Sequence, residues 1–145
     1  MITLDNFEER YDFSCWVVKY GRISINGKTY QKDSLKNNAG MTVPLFWNHN
    51  HREPFMCLGY AHLENREDGI FAYCTLDDTA IKESVIQLIQ NRGLVSLSPF
   101  ITHVKTDEKS ILHGLIREVS LVPARVDPDE SYYPVMRIEA VDVNA

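Results

Sequence analysis

No stretch of this 145-residue chain approaches the ~18 consecutive apolar residues of a membrane-spanning helix, which excludes a helical span. Cysteine is scarce. Cys15, Cys57 and Cys74 are odd in number and lack CxxC spacing, so they read as reduced, buried small hydrophobes in a reducing compartment. Basic charge is also short: 15 Lys/Arg against 20 Asp/Glu leave a net charge of −5. The basic residues are scattered, with no stripe interleaved with aromatics, so a nucleic-acid partner is not expected. The opening MITLDNFEER lacks the basic-then-apolar order of a secretory signal. Internal repeats and low-complexity runs are missing too, and a chain kept inside a cell is the expectation.

What remains is ordinary globular material, 44% apolar and 24% charged. That length suits a single domain over residues 1–145 with a core of its own. Residues 13–20 (FSCWVVKY) form a β-rich run, and Asn26-Gly27 predicts a hairpin between a strand from Arg22 to Ile25 and Lys28–Tyr30. The polar segment 33–40 reads as a surface connection. Met41 to Trp47 is strand-like and stops at the polar cluster 48–54. Glu67-Asp68-Gly69 predicts a hairpin joining strands 57–63 and 70–76. Ile81, Val85, Leu88 and Ile89 recur at helical spacing, giving one substantial helix over about residues 79–92. Residues 94–104 and 111–122 return to strand, and 124–133 read as a loop. The sum is a mainly β, mostly antiparallel domain with helical decoration, an α+β class.

Three segments carry chemistry. His49 follows Leu45-Phe46-Trp47 at a strand end, where a neutral imidazole can act as general base. Ser96 and Ser98 flank Leu97 and so share one strand face. Glu118 enters the apolar strand Val119–Val122, where a carboxylate is costly to bury without a partner. Base, nucleophile and orienting acid together make a hydrolase triad. Each also has a plain structural reading: a loop histidine, a solvent-facing serine pair, a strand-edge charge. His49 and His51 form an HxH pair that could start a metal site, but no spacing selects a third ligand among His62, His103 and His113, so neither metal nor cofactor is expected.

Taken in order, residues 43–76 (VPLFWNHNHREPFMCLGYAHLENREDGIFAYCTL), 93–105 (GLVSLSPFITHVK) and 112–129 (LHGLIREVSLVPARVDPD) resemble the tailed-phage, HK97-type prohead maturation serine proteases. That family is similar in fold to the herpesvirus assembly proteases, so the resemblance implies a small antiparallel β-barrel decorated by helices. It further implies a serine endopeptidase that cuts scaffold, the scaffolding segment of the major capsid protein, and itself, inside the immature prohead in the host cytoplasm. The chain is short for a full-length member, so a missing C-terminal segment is part of the expectation. Residue by residue, His49 matches the family's base and Glu118 its orienting member. The nucleophile pattern is Ser, apolar, Gly, aromatic. Ser96 fits it with Ser98 at the small position and is preferred; Ser98 is the alternative nucleophile, and the missing glycine leaves both open. Backbone amides of Ala124 and Arg125 are the oxyanion-hole expectation by analogy, and self-association through a helix is implied by the herpesvirus relatives. The competing reading is a non-catalytic capsid-assembly factor with a protease-like fold.

Overall fold

A computed structural model describes residues 11–23, 27–50, 52–53, 56–90 and 95–123 of the chain. Where apolar residues alternate or run together, the described residues form strands: β1 (Phe13–Lys19), β2 (Thr29–Tyr30), β3 (Thr42–Trp47), β4 (Cys57–Arg66), β5 (Gly69–Leu76), β6 (Val95–Asp107) and β7 (Ser110–Pro123). The helical-period stretch forms α1 (Ala80–Gln90), which lays Val85 and Ile86 into the core. Asp12 ties this helix to the sheet. Its buried carboxylate accepts the Leu76 N–H at 2.8 Å and lies 3.7 Å from Lys82 Nζ.

The strands make one sheet in the order β1-β5-β4-β3-β7-β2, with β6 pairing β7. It curls into a half-barrel. Phe13, Cys15, Leu45, Leu63, Ile70, Ile116, Val119 and Leu121 belong to its main buried cluster. The expected mainly β, mostly antiparallel architecture with one substantial helix is present, with two parallel pairings within it. β3 and β2 both run parallel to β7, so the sheet is mixed. At Gly59 (φ +155°) β4 comes so close to β5 that an added Cβ would meet the Thr75 carbonyl oxygen at 2.0 Å.

β2 and β3 hold the same edge of β7 at its two ends, Ser110–Ile111 and Val119–Leu121. Between them Asn38, fully buried at the end of a short 3₁₀ turn (Lys36–Asn38), stands in for a strand. Its Nδ2 donates to the Gly114 carbonyl at 3.1 Å and its Oδ1 accepts the Ile116 N–H at 2.9 Å. The segment 33–40, expected on the surface, is therefore partly interior, with Ser34, Leu35 and Asn38 all buried. A side-chain amide carries both a donor and an acceptor and can satisfy a strand edge from within the core.

Of the expected hairpin about Asn26-Gly27, the described part is the antiparallel bridge Ile23–Thr29, and residues 24–26 lie outside the described residues. Cys15 and Cys74 are buried thiols, whereas Cys57 is half-buried.

Candidate active site

The β6–β7 pair presents its two faces very differently. Val95 and Leu97 on β6, and Val119 and Leu121 on β7, belong to the core. Ser96, Ser98 and Phe100 therefore point to the opposite face, across from Val122, Ser120 and Glu118 respectively. Simple alternation along β7 would give Glu118 the same face as the core residue Ile116. It does not, because the register slips between Phe100–Ile101 and Ile116–Glu118: Arg117 is an extra residue, a β-bulge. Bulges re-aim the side chains that follow them, and this one turns Glu118 out of the core onto the serine face.

His49 arrives from β3. The β3–β7 ladder ends with the Asn48 N–H donating to the Leu121 carbonyl at 2.9 Å. The chain then turns through two successive left-handed residues, Asn48 (φ 50°) and His49 (φ 59°), closed by the Asn50 N–H donating to the Trp47 carbonyl at 3.0 Å. Two positive φ values mark the turn as the I′ kind, which Asn and His enter more readily than most residues. Left-handed backbone at a non-glycine residue costs on the order of 1–3 kcal/mol and persists only where its surroundings over-determine it. Here three hydrogen bonds do so. The His49 N–H donates to Ser120 Oγ at 3.0 Å, Nδ1 lies 2.9 Å from Glu118 Oε1, and Nε2 lies 3.0 Å from Ser98 Oγ.

A carboxylate is an acceptor, so Nδ1 carries the ring proton toward Glu118 and Nε2 offers its lone pair to the Ser98 hydroxyl. Glu118 is 3% exposed while the imidazole is 35% exposed, so the carboxylate is shielded and the ring reaches solvent. Ser98 is half-buried. Chemically, the arrangement can withdraw a proton from Ser98 as its oxygen attacks an electrophile, holding the resulting imidazolium against a buried anion.

Of the expected site residues, the structure brings together His49, Glu118 and Ser98. The imidazole meets Ser98, the alternative nucleophile, and not the preferred Ser96. The Ser96 hydroxyl is fully buried, lies across from Val122, and has no hydrogen-bond partner among the described residues. Sharing a face with Ser98 was not enough, since the imidazole docks one pleat further along β6. Ala124, Arg125 and His51 lie outside the described residues. His62 bonds Thr42 Oγ1 through Nδ1 at 3.1 Å, and burial holds its pKa below the ordinary histidine value. Sequence reasoning passed over Ser120. Its signal was available: a hydroxyl in an otherwise apolar run, two residues from Glu118 and so on its face.

Comparison with known proteins found no matching family model, no similar curated protein and no similar solved structure.

Proposed function

We propose that this chain is a serine endopeptidase with Ser98 as nucleophile, His49 as general base and Glu118 as the group that orients and charges the base. One observation carries the reading: a single imidazole bonded through Nδ1 to a buried carboxylate and through Nε2 to a half-buried serine hydroxyl. Hydrogen bonds of 2.9 Å and 3.0 Å are within the reach that proton transfer demands. The three side chains come from the turn after β3, from β6 and from β7, so nothing local in sequence would bring them together by chance of adjacency.

In the reaction, Nε2 accepts the Ser98 proton while Oγ bonds to the scissile carbonyl carbon. The C–N bond then breaks as Nε2 returns that proton to the leaving amine, leaving an ester on Ser98. Water, deprotonated by the same nitrogen, cleaves the ester and restores the hydroxyl. Base assistance of this kind contributes roughly 10²–10⁴-fold. The sequence resemblance to prohead maturation proteases suggests the substrates: phage scaffold protein, the scaffolding segment of the major capsid protein, and the chain itself, within the immature prohead.

An alkyl fluorophosphonate tests the chemistry. Intact mass and peptide mapping should place one adduct on Ser98, lost in Ser98→Ala and retained in Ser96→Ala, with scaffold cleavage in co-expression following the same pattern. Adduct on Ser96 would overturn the assignment of Ser98 as nucleophile; no adduct on any serine together with uncut scaffold would overturn the protease reading and leave a non-catalytic assembly factor.

A further inference from the structure

We infer that Ser120 is a positioning residue that sets the reach of the His49 imidazole by holding its backbone; this rests on the protease reading of the same site. The inference starts where the β3–β7 ladder runs out. Leu45, Phe46 and Trp47 pair in parallel with Val119, Ser120 and Leu121, and the Asn48 N–H makes the last ladder bond, to Leu121. The next donor, the His49 N–H, belongs to a residue already in the left-handed turn, so it no longer points along the ladder. Ser120 Oγ takes it at 3.0 Å.

Position makes this more than a local satisfaction of one donor. Ser120 is fully buried, lies directly across from Ser98, and stands two residues beyond Glu118 on the same face. The hydroxyl that fixes the His49 backbone is thus on the rigid strand pair that also carries both partners of its ring. Three attachments (backbone N–H, Nδ1 and Nε2) hold one residue to one patch of two strands. Removing the backbone attachment lets the turn relax from its positive φ and carries the ring with it, away from Ser98 or Glu118. Misplacement of a base by about 1 Å can cost on the order of 100-fold in rate.

Three forms of the full chain test this: wild type, Ser120→Ala and Ser120→Thr, the last keeping a hydroxyl. Two readouts are taken on each. One is the Nδ1–H proton resonance of His49, which reports the ring's bond to Glu118 and needs no enzyme activity. The other is the rate of fluorophosphonate attachment to Ser98. Ser120→Ala is expected to lose the His49 resonance and to label roughly 10- to 100-fold more slowly, and Ser120→Thr to recover both. Retention of the resonance in Ser120→Ala, whatever its labelling rate, overturns the inference. So does a loss that threonine fails to restore, which would mark Ser120 as packing only. Should the alanine variant not fold, Ser120→Cys takes its place, being close in size but a weak acceptor. A wild type that shows the resonance but never labels would sink the protease reading and still decide the role of Ser120.

Discussion

Glu118→Gln isolates what the buried carboxylate does for the imidazole. The amide keeps the volume, but it can turn its NH₂ toward Nδ1 and so favour the tautomer with the proton on Nε2. It also cannot offset an imidazolium charge. Under the proposed endopeptidase reading, the expected outcome in steady-state peptide cleavage is a kcat lower by roughly 10³–10⁴-fold, with KM little changed, because the loss falls on the transition state. Ser96→Ala makes the opposite case. The Ser96 hydroxyl is buried with no hydrogen-bond partner among the described residues, so deleting it breaks no bond. Urea unfolding should place this variant within about 1 kcal/mol of wild type or above it, with cleavage intact. A severe loss of activity in Ser96→Ala alone would return that residue to the chemistry. The two serines show where sequence reading stops. Period two put both on one face, and a carboxylate in an apolar strand pointed to a partner. Which serine the imidazole meets depends on where a turn 49 residues upstream of Ser98 docks, and no local pattern encodes that.

Elements here are held by side chains as well as by ladders, and Asn38 is the clearest instance. It gives two hydrogen bonds to β7 and a third, at 2.9 Å, to the Leu35 carbonyl, all within the interior. Asn38→Ala takes the acceptor from the buried Ile116 N–H and leaves the Gly114 carbonyl with the longer bond, 3.3 Å, from Asn37 Nδ2. The expected destabilisation is about 2–4 kcal/mol by urea unfolding, several times that of a typical surface change. A loss below about 0.5 kcal/mol would mean that β2 and β3 alone secure that edge. The strands themselves were largely legible, because alternation and the Glu67-Asp68-Gly69 turn are local signals: β4 and β5 meet around that turn. The helix was legible for the same reason. The burial of Ser34, Leu35 and Asn38 was not, since a polar composition ordinarily marks a surface and only the strand they serve reveals the exception. The Arg117 bulge was hidden too, because a slipped register belongs to a pair of strands and not to either one.

Pairing order and curl were the least legible features. Nothing in β3 announces that it runs parallel to a strand more than 70 residues later, and such long-range register is what closes the half-barrel and delivers His49 to β6 and β7. The same enclosure shields several weak acids, which gives the fold an alkaline limit. Burial pushes the Cys74 thiol well above its usual 9.0, Tyr20 from 10.0 up to about 12, and Tyr30 above 10.0. In the unfolded chain these groups ionise near their ordinary values, so at high pH the unfolded state releases protons that the folded state retains. Stability that depends on them is whole below about pH 8.5 and declines as pH rises past each unfolded value, thiol first and phenols next. Urea midpoints should therefore be level from about pH 7 to 8 and fall steadily above pH 9. The decisive comparison is between variants. Cys74→Ala should flatten the fall that begins near pH 9, and Tyr20→Phe should make it shallower above about pH 10 while losing the hydrogen bond to Asn65. Were the double variant to follow the wild-type slope throughout, burial of these groups would not be the source of the alkaline limit.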